Sequence, residues 1–405
     1  MKVDHMRKID RYFGIPLTFF VSIPIVIIRL FRKKTKPVTD RTLFIELSEM
    51  GSALLVDPAM RKLRSAGPAE LFFVIFRANV KSLEILQTVP AENIFPMRSE
   101  NMWLLAVDVF RFMRWCRRKK ITCVIDLELF SRFTALLAAF SMARHRVGFT
   151  NLHDEGLYRG SIVNIPVRYN PHVHISKNFM SLVNSALGLN THVYSTYPVA
   201  EHELKITKLP IDLAGRGIVQ DKIKGLYPAF TEQRVFLLNV NASDMLPQRR
   251  WLPDRFAYVA REILSRHDDV LIVATGSPNE KDYVQHVVDL VAHDRCVNSS
   301  GVFQFEELVH LYGLSQLMLT NDSGPAHFAS VTELKVFVIF GPETPALYMP
   351  LGNAEAIFLG LPCSPCVSAA NHRKTTCPDR PCITGIDAIS VLQKVDHYLS
   401  SKVIA

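Results

Sequence analysis

At 405 residues, with 48% apolar and 21% charged side chains, the chain exceeds what one hydrophobic core usually serves and is too apolar to be disordered. Two domains are therefore expected. Residues 1–41 carry ten Lys/Arg against three Asp, so they hold +7 of the formal +9 and leave the rest of the chain at +2. A nearly neutral body excludes nucleic-acid binding as the explanation of the charge.

In chain order, the first feature is an apolar run over residues 12–28, interrupted by Pro16 and Pro24 and flanked by bases on both sides. It stands at the short limit for a membrane-spanning helix, and its symmetric basic flanks favour no single crossing direction. No small-residue cleavage site follows it, so a cleaved signal peptide is not expected. Residues 1–36 are expected to meet a membrane surface, dipping into or lying in the cytoplasmic leaflet with their bases on anionic headgroups. A single-pass anchor is the alternative. A soluble amphipathic arm fits poorly, because the run reads as apolar on all faces.

From residue 42 onward, short runs of β-branched and aromatic residues alternate with helical patterns. Strands are expected at 42–47, 71–76, 122–127 and 146–149, with helices at 103–119 and 131–143 between them. The alternation resumes after residue 231, with strands at 235–240, 270–275, 317–320 and 336–340 and helices at 254–266 and 280–292. The expected layout is a basic, apolar leader (1–41), an N-terminal α/β domain (42–205), a connection containing Gly215 and Gly217 (206–231), and a C-terminal α/β domain (232–405). Two doubly wound domains imply a cleft lined by the carboxyl ends of strands.

Two segments carry chemistry. At 319–329 an apolar strand ends in Asp322-Ser323-Gly324, and a helix with Pro325 in its first turn and His327 follows at once. Such a junction offers backbone N–H groups and a hydroxyl to an anion, and a diphosphate suits it. An Asp/Ser cap over a buried histidine is the purely structural alternative. At 239–251 the loop after the first strand of the C-terminal domain holds Ser243 for a phosphate and Arg249 or Arg250 to neutralise a departing nucleotide diphosphate, just before Trp251.

Together these segments resemble glycosyltransferase family 9, the heptosyltransferase family, which has the GT-B fold of two Rossmann-like domains. The resemblance lies in Asn241-Ala-Ser243, Arg249/Arg250 before Trp251, and Asp322-Ser323-Gly324-Pro325-Ala326-His327, with a weaker opening strand and Pro58-containing helix over 44–60. It covers about 42–395 and implies inverting transfer of a sugar, with heptose the eponymous one, from a nucleotide-diphosphate donor. The acceptor is lipid-linked or an oligosaccharide of bacterial lipopolysaccharide or envelope glycan, and the enzyme works at the cytoplasmic face of the inner membrane. By analogy Asp322, Ser323, Gly324 and His327 contact the donor, Ser243 and Arg249 lie beside its phosphates, and Glu280 lies near the nucleoside. No Asp-x-Asp motif occurs in the chain, which suits transfer that requires no metal or other cofactor.

One departure from the family pattern is Gly51-Ser52, where members commonly have Gly-Asp with the Asp as base. Serine alone is a poor general base. Glu49 is the candidate in its place, with Glu46 and Asp57 behind it. Loss of the acid also permits a catalytically silent nucleotide-sugar-binding protein, and the fold permits a sugar-nucleotide epimerase. Cys363, Cys366, Cys377 and Cys382 have a spacing that zinc can use, but packed thiols or a local disulfide satisfy it equally. His172 and His174 stand at alternate positions with nothing nearby in sequence to complete a metal site.

Overall fold

The computed structural model describes residues 3–401 apart from 32, 34, 48, 49, 130, 151–157, 243–245, 369, 370 and 372, with Val3, Asp4, His5, Met50 and Ser52 described by backbone alone. The chain divides into two compact units, Met1–Lys205 and Ile206–Ala405. The stretch 206–231, expected to connect two halves, belongs to the second unit, and much of it is the helix Leu213–Leu226 with Val219 and Ile223 buried.

Among the described residues each unit is built on one parallel sheet of six strands. The first holds β1 (Arg41–Ile45), β2 (Glu70–Phe76), β3 (Ile94–Met97), β4 (Cys123–Asp126), β5 (His145–Thr150) and β6 (Ile165–Arg168), in the order β3-β2-β1-β4-β5-β6. The second holds β7 (Arg234–Asn239), β8 (Val270–Ala274), β9 (Cys296–Asn298), β10 (Ser315–Asn321), β11 (Lys335–Ile339) and β12 (Ala354–Ile357), in the order β12-β11-β10-β7-β8-β9. In both sheets the strand order therefore reverses beside the first strand, at the parallel pairs β1/β4 and β7/β10. Loops leaving the carboxyl ends of such a strand pair diverge to opposite faces and open a crevice where ligands bind.

The inner strands form because their apolar runs can be buried on both faces by crossover helices. Leu43, Ile45, Phe72, Val74 and Val124 face a core closed by the helices Met102–Lys119 and Arg132–Phe140. Phe44 and Phe73, one residue out of phase, stack at 6.3 Å on the opposite face. In the second unit Phe236, Leu238, Ile272, Leu317 and Leu319 pack against helices Pro253–Arg266, Lys281–Val291 and Ala388–Ser401.

Candidate active site

The site is built where β7 and β10 end side by side, with Asn239 in register with Thr320. Asn239 donates from Nδ2 to Thr320 Oγ1 (2.8 Å) and to Ser323 Oγ (3.1 Å), tying the expected Ser323 to the neighbouring strand. Asn321 does the reverse. Its Oδ1 accepts the Trp251 N–H (2.8 Å) and its Nδ2 donates to the Val240 carbonyl (2.8 Å). Asn321 thus satisfies the backbone of the loop leaving β7, while Asn239 holds two hydroxyls at the end of β10, so both buried amides find partners across the strand pair. The sequence reading passed over both asparagines, although an amide at the last position of an apolar strand is a visible signal.

This frame decides between the two neighbouring arginines. Arg250 donates twice to the Ala242 carbonyl (3.0 and 2.7 Å) and lies 5.3 Å above the Tyr283 ring, whose hydroxyl pKa burial pushes up against the pull of that cation. Its guanidinium is occupied in holding the loop. Arg249 instead meets Asp322 through Nη1 at 3.3 Å, with the carboxylate side chain only 6% exposed. Its Nε, and Nδ2 of buried Asn241, have no hydrogen-bond partner among the described residues. Buried donors normally find partners, so two beside one strand end point toward an acceptor-rich ligand.

Asp322 continues the β10 ladder by donating its N–H to the Ile339 carbonyl, and the helix Gly324–Phe328 starts two residues later with Pro325 in its first turn. The helix is a single turn, so its contribution to an anion is local N–H groups rather than a long axial dipole. His327 lies buried on it. Gly324 faces open space: a Cβ there would meet nothing within 4 Å. The fold itself does not require glycine here, and the space beside the turn is open to a ligand. Gly324→Ala is expected to hold or raise the melting temperature, because alanine favours a helix by up to about 1 kcal/mol. It should weaken nucleoside diphosphate binding about tenfold or more through overpacking. Calorimetric titration with thermal unfolding checks both; unchanged affinity would remove this turn from the site.

Glu280 has a local duty not foreseen from sequence. Its carboxylate accepts the Ser277 N–H (2.7 Å) at the start of helix Lys281–Val291, just beyond β8. Ser243 lies outside the described residues, as does Glu49, and the Ser52 side chain is likewise not described. The backbone of Gly51 and Ser52 falls in the first turns of helix Met50–Ser65. Among the weaker base candidates, Glu46 is buried, and Asp57 is engaged by Arg61 (2.8 Å) and by the Thr88 hydroxyl. Asp57 is a structural anchor.

At the β1/β4 switch, Asp126 is fully buried at the end of β4, pairs with Arg159 and accepts from Thr134 Oγ1 at 3.1 Å. Two residues on, Glu128 Oε1 accepts the Leu47 N–H at 3.1 Å, placing a carboxylate beside the end of β1. His174 serves as a cap, its Nδ1 accepting the Ser176 N–H at 3.2 Å.

Cys363, Cys366, Cys377 and Cys382 are all free and line one small cavity with Gln248, Thr375 and Arg380. The local disulfide is thus not formed, and among the described residues no three His, Cys, Asp or Glu are placed to hold a metal ion.

Residues 109–376, two thirds of the chain, match the model of glycosyltransferase family 9 (heptosyltransferase). The chain belongs to that family. Lipooligosaccharide heptosyltransferase 2 of Campylobacter jejuni is 26% identical over 159 residues, covering 38% of this chain and 47% of that relative. The family 9 chain thus spans about half the length of that curated relative. The lipopolysaccharide core heptosyltransferase OpsX of Haemophilus influenzae is 20% identical over 274 residues, 67% of this chain and 71% of its own. The solved ADP-heptose lipopolysaccharide heptosyltransferase II of Escherichia coli superimposes with a TM-score of 0.67 at 18% identity, covering 89% of this chain and 99% of that one. A family 9 glycosyltransferase from Veillonella parvula gives 0.69 at 19%, covering 91% and 100%. These likenesses establish the GT-B fold. Family membership does not favour the binding-only and epimerase readings.

Proposed function

We propose that this family 9 chain transfers a sugar with inversion from a nucleotide-diphosphate donor to a lipid-linked or oligosaccharide acceptor of the lipopolysaccharide core, at the cytoplasmic face of the inner membrane. The observation that carries the reading is Arg249, held by Asp322 at the β7/β10 switch with its Nε unpartnered among the described residues. A guanidinium in a protected crevice stabilises charge developing on a leaving diphosphate far better than it would in water. ADP-heptose is the first donor to test, because a structural neighbour is named for it.

In the step proposed, the acceptor hydroxyl oxygen attacks the anomeric carbon from the face opposite the diphosphate. The glycosidic C–O bond to phosphate breaks, and its electron pair leaves on the diphosphate beside Arg249 and the Asp322–His327 turn. The hydroxyl proton goes to a carboxylate, for which Glu49 is proposed, since Ser52 occupies the position of the family's Asp. Arginine supplies the charge that a divalent metal supplies in enzymes with an Asp-x-Asp motif, so no metal is required. Ser243 and Glu280 are proposed beside the phosphates and the nucleoside respectively.

The test is nucleoside diphosphate release from ADP-heptose with and without a heptose-deficient lipopolysaccharide acceptor, with the product identified by mass. Release that depends on acceptor and adds one sugar to it is the expected result. Glu49→Gln should lower kcat about 10²–10⁴-fold. Full turnover in that variant would move the base elsewhere, with Glu128 the next carboxylate to replace. Donor consumption without glycosylated product would overturn the transfer itself.

A further inference from the structure

The helix Gly14–Phe31 does not project from the first unit; it lies on it. Gly14, Thr18, Val21, Ser22 and Ile25 recur at helical spacing and form its inner face. Thr18 and Ser22 are buried, and Val21 and Ile25 pack against the sheet core. The approach is close: a Cβ at Gly14 would come within 2.9 Å of Arg132 Cβ, and one at Gly160 would fall on Ser22 Oγ.

Polar contacts tie the helix and its two flanks to the unit. Ser22 Oγ accepts the Ser161 N–H at 2.8 Å. Asp10, in the preceding helix Val3–Tyr12, accepts the Phe133 N–H at 2.9 Å and pairs with buried Arg132 at 3.2 Å. Beyond the far end, Arg144 donates to the Lys33 carbonyl at 3.4 Å.

The outer face is different. Phe13, Phe20, Ile23, Ile27, Leu30 and Phe31 are between 44% and 86% exposed. Such a continuous apolar strip is unusual on a soluble surface and marks a partner. Charge says which partner: Lys8, Arg11, Arg29, Lys33 and Lys36 are exposed around it. Helix Met102–Lys119, packed on the same core, exposes Trp103, Phe110, Arg111, Arg114, Arg117 and Arg118. An apolar strip edged by cations fits the interface of an anionic bilayer.

We propose that the helix Gly14–Phe31 is a monotopic anchor, clamped to the first unit by its small, polar face and sunk by its apolar face into one leaflet of an anionic bilayer without crossing it. The inference rests on the membrane association proposed above and specifies its geometry. Crossing would strip Ser22 from Ser161 and separate Asp10 from Arg132, leaving polar groups unsatisfied on both sides. Because the clamps are rigid, the anchor fixes which side of the first unit faces lipid.

The full-length protein is floated with vesicles of phosphatidylglycerol and phosphatidylethanolamine, and with phosphatidylcholine vesicles. Its topology is then read in inverted inner-membrane vesicles by adding protease to the side carrying the body, with an epitope tag at the N-terminus. The expected results are at least about tenfold more binding to the anionic vesicles, and digestion of the tag together with the body. The double variant Phe20→Glu/Ile27→Glu, altered only on the outer face, should lose flotation while keeping its melting temperature. No flotation of wild type would overturn membrane association and the anchor together. Flotation with a protected tag would leave membrane association standing and overturn the monotopic geometry. Undiminished flotation of the folded double variant would overturn the assignment of the face.

Discussion

Arg249→Ala is expected to lower kcat/KM for sugar transfer about 10²–10³-fold, the loss typical of removing one preorganised charge-stabilising donor. The same change strands the carboxylate of Asp322, whose side chain is only 6% exposed, so stability should also fall by about 1–3 kcal/mol. The two effects separate in Arg249→Lys. Lysine can still reach toward Asp322 as a point charge, but it lacks the planar fork that meets a diphosphate with several parallel donors. Arg249→Lys should therefore recover most of the stability and little of the activity. Steady-state kinetics well below the melting temperature, beside thermal unfolding, reads both. Activity within about threefold of wild type in Arg249→Ala would show that this arginine is structural, since one transition-state contact is worth far more.

The largest stability effect is expected at Trp251. Its side chain is fully buried, its Nε1 donates to the Ile386 carbonyl at 3.2 Å, and its ring meets Phe256 edge-on at 5.0 Å. Truncation to alanine removes a large buried ring and leaves a cavity that the sheet and helices around it cannot fully close, at a cost of about 3–5 kcal/mol. For a unit of this size that corresponds to a melting temperature lower by roughly 6–20 °C. Trp251→Phe keeps a ring and loses one N–H, while the Ile386 carbonyl retains Arg255 as a donor. It should cost about 1–2 kcal/mol, between a lost hydrogen bond and a small cavity. The backbone N–H of Trp251 also fixes the loop against Asn321, so the variant should keep Arg249 in place and turn over normally. Scanning calorimetry and the transfer assay check the pair; an unfolding temperature unmoved in Trp251→Ala would contradict this packing.

The fold was legible in proportion to burial. The eight inner strands announce themselves as apolar runs. The four strands missing from the sequence reading are β3, β6, β9 and β12, which are the four edges of the two sheets. An edge strand has one paired side and need not be apolar throughout: β3 contains Pro96, β6 contains Pro166, and β9 is three residues long. Proline suits an edge because it has no N–H to give a ladder. The leader shows the opposite failure. Its composition reads as apolar on all faces, yet Thr18 and Ser22 with Gly14 form a docking stripe that is invisible until the partner surface is known.

At the site, motif and chemistry led to Asp322–His327 and to the Arg249/Arg250 pair, but nothing local distinguishes two adjacent arginines. The distinction comes from Ala242 and Tyr283 on one side and Asp322 on the other. The Asp126–Arg159 pair was likewise unreadable, because its members are separated by 33 residues, Asp126 ending β4 and Arg159 lying in the connection from β5 to β6. Asn239 and Asn321 could have been found by their position at strand ends.

The central claim, that the β7/β10 switch of the second unit holds a nucleotide diphosphate through Arg249, is tested most directly by calorimetric titration. ADP, GDP and UDP are titrated into wild type and into Arg249→Ala, each shown to be folded by its unfolding transition. The account predicts saturable binding of one of these nucleotides to wild type, and affinity at least about tenfold weaker in the variant, a difference of 1.4 kcal/mol or more. Absence of binding to wild type by all three, or equal affinity in the two proteins, would contradict it.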